Sequence, residues 1–206
     1  MAEIATSEQL EPQMHNGNPR ITRTKTMDVI PLGGGEYRLE ARLTDLSRGG
    51  NYGPAATDSS AEPDAAGTPP SKVIHDIALT ARVRGPGLEI TDLDVQTLTV
   101  PYASCPFVLP VLQQLIGKEL LSGWRRAVLD LSGGTRGCTH VNTLLLGLTE
   151  MQTMVIFLEM NERVSYTPEH QASGEWISVG LEIAPRLADV CYSLRRGGPV
   201  IPARNE

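Results

Sequence analysis

The sequence predicts an α+β domain in which an antiparallel sheet of three or four strands packs against about three helices. Three observations predict this class. Strand-type alternation dominates the first half of the chain, a short turn joins its last two runs, and helix-type periodicity dominates the second half. Strand-rich followed by helix-rich order is typical of the class. The length of 206 residues suits one domain with tails.

Three runs carry the strand pattern, over residues 37–43, 77–83 and 88–100. In the first two, apolar residues alternate with polar or charged residues, which is the period of a half-buried strand. The third is rich in β-branched residues and follows the turn signal Gly85 to Gly87. These short connections favour an antiparallel meander.

The second half predicts helices. Residues 107–131 have helical periodicity, although Gly117 and Gly123 weaken the pattern and are expected to split it. A second helix begins at Cys138 or Thr139 and runs to about residue 161. Because it is apolar nearly all round, we expect it at the centre of the domain. A short strand over 176–181 and a helix over 185–196, with Cys191 in its apolar face, complete the prediction.

We expect one domain over residues 26–196. The segment 1–25 is polar and lacks periodicity, so it is predicted to be a disordered lead. The segment 48–70 is rich in Gly, Pro, Ser and Ala, which predicts a flexible loop. A loop this long inside a domain is often functional. Residues 197–206 are predicted to be an irregular tail.

The composition indicates which kinds of partner and which cell compartment to expect. A formal net charge of -6 without a basic stripe argues against binding to nucleic acid or to an anionic membrane. The chain shows neither a secretory signal nor an apolar run long enough for a membrane span. Three cysteines are an odd, low count, typical of reduced thiols in the cytoplasm. The partner that we expect, from the candidate site described next, is a small-molecule substrate, and the oligomeric state stays open.

Reactive side chains concentrate at the boundaries of the predicted elements: His75, Asp76, Cys105, Cys138 and His140. Two thiols, two imidazoles and a carboxylate are the inventory of a zinc or iron site. Adjacent strand residues face opposite sides, so we expect one of the pair His75 and Asp76 in a shared site. The alternative is that the thiols are buried and inert and that the histidines are capping or solvated residues.

The candidate metal ligands are His75, Cys105, Cys138 and His140. Two cysteines and one histidine would hold a divalent metal, zinc or iron, and leave one position open for water or a substrate carbonyl. No pattern indicates a nucleotide cofactor.

The candidate catalytic residues are Asp76, Cys138 and His140. Asp76 or the histidine not bound to metal would move the proton. Without a metal, Cys138 would be the nucleophile, because the start of a helix favours a thiolate, and His140 or His75 would be the base. Tyr102, in the corner segment before Cys105, and Arg125 are the candidates for substrate contact. Arg125 would bind a carboxylate if it is not simply on a helix surface.

Three function classes follow from these candidates. The first is a small-molecule enzyme of hydrolase or lyase type with one divalent metal. The second is a metal or iron–sulfur carrier without catalysis of its own. The third is an interaction domain in which all three thiols are core. The number of protein ligands separates the first two, since four ligands close a site and three leave it open.

Four short motifs occur in order along the chain: Ile74 to Asp76, Pro101 to Cys105, Gly123 to Arg126 and Gly137 to His140. As a set they resemble a family of bacterial proteins classed as a domain of unknown function, over about residues 27–160. The resemblance implies relatives and no particular activity.

The order of elements over about residues 72–160 is also similar to iron–sulfur scaffold proteins of the IscU/NifU type. Those proteins have an aspartate ahead of a strand, a cysteine at a strand-to-helix corner and a cysteine opening the next helix. The positions here are Asp76, Cys105 and Cys138. The first scaffold cysteine falls on Ile74, which cannot bind metal, so a histidine would replace it. The resemblance implies an IscU-like arrangement in which the candidate residues share one pocket.

Overall fold

Alternating apolar side chains build a four-stranded antiparallel sheet in the computed structural model, which describes residues 21–48 and 71–201. The strands are β1 (Ile21–Gly33), β2 (Glu36–Arg48), β3 (Ser71–Arg84) and β4 (Glu89–Thr99). They are hydrogen-bonded in sequence order, as an antiparallel meander. A four-stranded sheet followed by helices confirms the predicted α+β class.

The odd-numbered residues of β2, and those of β3 from His75 to Val83, face the core. The apolar ones are all but fully buried: Leu39, Leu43, Ile77, Leu79 and Val83. Burying one such side chain contributes about 2 kcal/mol, and a slip by one residue would turn the whole set towards solvent. The apolar series therefore fixes the register of the central strands. It also determines which face the residues at the strand ends occupy.

Within the described residues, four helices follow the sheet: α1 (Trp124–Ser132), α2 (Thr139–Arg163), α3 (Pro168–Ser173) and α4 (Glu175–Ile183). Short 3-10 turns lie at Cys105–Val108, Pro110–Leu115, Gly134–Arg136 and Pro185–Leu187. Helix α2 lies on the sheet, where it contacts β1, β2 and β3, and it also packs against α1 and α4. It is the element that joins the sheet to the rest of the molecule.

Helix α2 is central, as its apolar surface predicts. Its buried residues include Leu144, Leu145, Leu148, Met151 and Val155. By length and composition it is also the one helix in the described part of the chain that could cross a membrane. Half of that apolar stretch is buried inside the domain, as in the core helix of a globular protein.

A second, smaller core lies at the C-terminal end of α2. It contains Ile156, Met160, Val164, Trp176, Ala184 and Leu187. Gly180 of α4 lies against the Met160 side chain, where an added Cβ would come within 2.9 Å of its sulfur and terminal methyl. This close approach lets α4 pack on α2.

Strand β1 is not predicted by the alternation. It begins at Ile21, so the expectation of disorder over 1–25 is wrong for residues 21–25. The reason is that Arg23 and Lys25 pair with acidic residues of β2 and α2. Charged residues that pair across elements hide the period of two on which the prediction depends.

The single helix predicted over 107–131 is split, as its glycines indicate. Two 3-10 turns precede α1, and Pro110 begins the second of them. Gly117 and Gly123 adopt left-handed φ values of 82° and 70°, which a helix interior does not accommodate. The break leaves α1 a short helix beginning at Trp124.

Two predictions about the C-terminal part are wrong. The strand expected over 176–181 is part of helix α4, whose buried residues Trp176 and Gly180 lie four apart on one face. The helix expected over 185–196 is a 3-10 turn followed by bends, and Asp189 has a left-handed φ of 67°. Cys191 is consequently exposed rather than part of the core.

The remaining organisational predictions fall largely outside the described residues. These are the lead over 1–20, the loop over 49–70 and the end of the tail over 202–206. Arg48, the first residue of the predicted loop, ends β2. The described C-terminal end contains an isolated bridge between Arg196 and Ile201.

Candidate functional site

Three polar side chains from three separate elements meet at one end of the sheet. Asp45 lies near the end of β2, His75 near the start of β3, and His140 in the first turn of α2. Each offers one metal-ligating atom, and these three atoms lie within 4.8 Å of one another. Because the three residues are far apart in sequence, the tertiary structure alone creates this group, which we call the Asp-His-His cluster.

Asp45 is the centre of a row of side chains across three strands. Arg23 lies opposite Asp45 on β1, and His75 lies opposite it on β3, so all three point to the core face. The Arg23 Nε and Nη2 atoms donate to the two Asp45 oxygens at 2.7 and 2.8 Å. His75 Nδ1 lies 2.9 Å from Asp45 Oδ2. The carboxylate is 5% exposed, so these partners replace most of its water.

The start of α2 is held in place by local contacts. Cys138 is the extended residue before the first helical turn. Gly137 lies so close to the backbone of Ser132 that an added Cβ would clash with its carbonyl oxygen. The Ser132 hydroxyl donates to Asn142 at 2.7 Å, and the Asn142 amide donates to the Ser132 carbonyl at 2.6 Å. These contacts direct His140 towards the sheet.

His140 connects the thiol to the carboxylate. Its ring stacks on His75 with centroids 3.8 Å apart and planes inclined by 29°. Its Nε2 lies 3.6 Å from Asp45 Oδ2, and its Nδ1 lies 3.9 Å from the Sγ of Cys138. Both histidine side chains retain some exposure, 14% for His75 and 23% for His140. A small ligand can therefore reach the cluster.

The charges in this site are set by burial and by Arg23. The hydrogen bond from Arg23 holds the pKa of Asp45 below its usual range. Burial lowers the pKa of His140, and the charges of His75 and Arg23 lower it further against the opposing effect of Asp45. At neutral pH the site therefore contains a charged carboxylate and a neutral His140 imidazole. A neutral imidazole is the form that binds metal or accepts a proton.

The lowered pKa of His140 predicts a loss of stability in mild acid. At pH values below 6.5, the ordinary pKa of histidine, His140 of the unfolded chain takes up a proton that it binds less readily in the folded chain. The free energy of unfolding therefore falls as the pH falls. We expect His140→Gln to reduce the difference in unfolding free energy between about pH 7 and about pH 5. Urea unfolding in the presence of a chelator measures it. An unchanged difference in the variant would contradict the lowered pKa.

The structure brings two of the predicted site residues together and turns one away. His75 and His140 meet, as expected. Asp76 faces the opposite side of the sheet, where Arg42 binds both of its oxygens at 2.7 and 2.6 Å and holds its pKa below the usual range. Neighbouring strand residues point to opposite faces, so Asp76 cannot act as the proton carrier of this cluster.

The two candidate cysteines occupy different positions. Cys138 lies beside the cluster through its contact with His140. Cys105 opens the 3-10 turn after β4 and is half-buried. Neither sulfur belongs to the group of mutually close ligand atoms found in residues 21–48 and 71–201. The expectation that both cysteines join the histidines around one metal is therefore not met.

The candidate substrate contacts lie on the surface. Tyr102 is 71% exposed in the turn that leads to Cys105. Arg125 is exposed in the first turn of α1, where it lines an open depression together with Leu129 and Asp130. Their roles in substrate contact stay predictions.

Asp45 and Arg23 are the site residues that sequence reasoning missed. A signal for Asp45 was present, because it continues the series of inward-facing residues that ends with Leu43. A carboxylate on the buried face of a strand indicates a paired or ligating group. Arg23 had no such signal, because β1 itself was not recognisable.

Comparisons with known proteins place the chain in a family. No curated protein and no solved structure matches it, and the resemblance to iron–sulfur scaffold proteins stays a prediction. One family model matches residues 21–154, which include β1, the rest of the sheet and every member of the Asp-His-His cluster. The chain belongs to the family described as "Protein of unknown function (DUF2889)".

Proposed function

We propose that this protein is a cytoplasmic small-molecule enzyme of hydrolase or lyase type that holds one divalent metal at the Asp-His-His cluster. One observation carries the proposal: three ligand atoms from β2, β3 and α2 lie within 4.8 Å of one another. Imidazole and carboxylate groups are ligands of zinc and of ferrous iron. Three protein ligands leave an open position, which is typical of a catalytic site.

The spacing of the ligand atoms suits a metal. Two ligands of a four-coordinate ion with bonds of about 2.1 Å lie roughly 3.4 Å apart. The Asp45 Oδ2 atom lies 3.6 Å from His140 Nε2, close to that separation. Its hydrogen bond of 2.9 Å to His75 Nδ1 would open when a metal binds. When bound, the metal would polarise a substrate carbonyl or activate water at its open position.

The residues around the ligands would support this site. Arg23 fixes the orientation of Asp45 and keeps it charged, as outer-shell partners of ligating carboxylates do. His140 is neutral at pH 7 because its pKa is lowered, so its ring nitrogen has a free lone pair. The Cys138 sulfur, 3.9 Å from the other nitrogen of that ring, would help to set the orientation of His140.

A metal-free reaction is the second candidate, and the position of Cys138 favours it. The Sγ atom, the His140 ring and Asp45 form a chain with separations of 3.9 and 3.6 Å. This is the order of nucleophile, base and orienting carboxylate. In this reaction the Cys138 sulfur would add to a substrate carbonyl carbon as the carbon–oxygen π bond opens, and His140 would accept the thiol proton. When the carbonyl re-forms and the bond to the leaving group breaks, His140 would pass that proton to the leaving group. An iron–sulfur carrier has less support, because clusters prefer thiolate ligands.

Metal analysis of protein purified without a histidine tag tests the proposal. We expect about one zinc or iron per chain in the wild type and in Cys138→Ser, and less than about a tenth of that in His75→Ala. His170→Ala is the matched control, because His170 lies on α3 and binds the Ser165 carbonyl. If the wild type retains no metal after incubation with zinc or ferrous iron, the metal proposal fails. Loss of activity on alkylation of Cys138 would then favour the thiol reaction.

A further inference from the structure

An aromatic-lined cavity lies beside the C-terminal half of α2. The C-terminal half of α2, helix α3 and helix α4 enclose a cavity of about 440 Å³, a size typical of small-molecule pockets. Its lining includes Phe157, Asn161, Tyr166, Gln171 and Trp176. From His140 to Phe157 the rise of α2 is about 25 Å. The cavity is therefore separate from the Asp-His-His cluster, and its lining lies beyond the residues that the family model matches.

Aromatic rings form the walls of this cavity. The whole chain has nine Trp, Tyr and Phe residues, and three of them line this one space. Tyr166 and Trp176 meet edge to face, with centroids 4.7 Å apart and planes inclined by 63°. Phe157 lies 6.3 Å from Trp176 at 38°. The three rings therefore form one contiguous aromatic cluster in the lining.

These rings are only partly covered by protein. Trp176 is 9% exposed, whereas Phe157 is 47% and Tyr166 is 64% exposed. Contiguous exposed apolar groups, unlike rings exposed singly, are typical of binding sites. The side-chain amides of Asn161 and Gln171 provide polar atoms in the same lining.

The segment that builds most of the cavity is acidic. Residues 159–183, which build most of its walls, contain five glutamates and a single arginine. That arginine, Arg163, lies 4.0 Å from Glu182. The lining side chains themselves are uncharged, so a cation would contact the rings without a competing positive charge in the lining. The negative face of an aromatic ring attracts a cation, and a box of rings suits an alkylammonium group.

We propose that this aromatic cavity binds a small organic cation of the alkylammonium class. The ammonium group lies against the faces of Phe157, Tyr166 and Trp176. The polar part of the ligand reaches Asn161 or Gln171. This site is independent of the metal site and does not rest on the proposed function.

Calorimetric titration of the full chain with choline and with its neutral isostere 3,3-dimethyl-1-butanol tests the proposal. The two probes have the same shape and differ in charge, so the comparison isolates the attraction of a cation to the rings. We expect saturable binding of choline and binding of the alcohol weaker by about fivefold or more. Tyr166→Leu, which keeps an apolar side chain but removes a ring, should weaken choline binding by about fivefold.

Phe107→Leu is the matched control, because Phe107 is 79% exposed on the 3-10 turn after β4 and should leave choline binding unchanged. If Tyr166→Leu lowers the melting temperature, Phe157→Leu provides the same test. Equal affinity for choline and the alcohol would overturn the proposal. Absence of choline binding at millimolar concentration, or unchanged choline binding after loss of a ring, would also overturn it.

Discussion

Asp45→Asn should lose metal binding, whereas Asp76→Asn should retain it. Both aspartates lie on the central strands, and both accept two hydrogen bonds from an arginine. They differ in the face of the sheet that they occupy. Asp45 alone is within ligand distance of His75 and His140. We expect a fall in zinc affinity of about 100-fold or more, since even outer-shell substitutions cost 10- to 100-fold.

The same pair of variants separates ligation from stability. Asp45→Asn leaves Arg23 without a charged partner and turns an amide donor towards it, which should lower the free energy of unfolding by about 2 kcal/mol. The effect is moderated because Arg23 is half-exposed. Asp76→Asn also removes an ion pair but should keep its metal binding. Its free energy of unfolding therefore measures the effect of a lost ion pair on stability alone.

Zinc titration with a competing dye measures the zinc affinity, and urea unfolding of the same samples measures the free energy of unfolding. The Asp45→Asn protein is first checked for its wild-type circular dichroism spectrum, so that lost affinity is not lost folding. Equal zinc affinity in the two variants would remove Asp45 from the site. It would leave the carboxylate as a structural partner of Arg23.

Leu148→Ala should destabilise the domain by about 3 kcal/mol. Leu148 lies in the middle of α2 and is 0% exposed in the main core. Removing three heavy atoms leaves a cavity in the main core that the surrounding side chains cannot fill. Because α2 joins the sheet to α1 and α4, the loss should affect the cooperative unfolding of the whole domain.

Leu129→Ala is the control for this substitution. It makes the same chemical change in α1, where Leu129 is 38% exposed, and should cost less than about 1 kcal/mol. Urea unfolding followed by tryptophan fluorescence measures both variants. Similar costs at the two positions would mean that α2 is not the centre of the core.

Much of the fold was predictable because its signals are local. The alternation over β2 and β3 predicts two strands, and the burial of Leu39 and Ile77 confirms which face is inside. The apolar surface of α2 predicts its central position. His75 and His140 were recognised as site residues for a similar reason, since each lies at an element boundary that the chain itself marks.

The errors have a different physical origin. Strand β1 contains inward-facing charges that are stable only because Asp45 and Glu150 come from other elements. Helix α4 has strand-like residues, but its packing on Met160 selects a helix. Tertiary contacts override local preference in such cases.

The sequence by itself determined the α+β class, the central helix and the kinds of side chain at the site. The reason is that the hydrophobic period and the residue types can be read directly from the sequence. Only the tertiary structure decided that Asp45 replaces Asp76, that Arg23 orients it, and that Cys105 lies apart from the ligand group. Which residues converge depends on strand register and on the position of the α2 start against the sheet. Both are set by the burial of side chains that are distant in sequence.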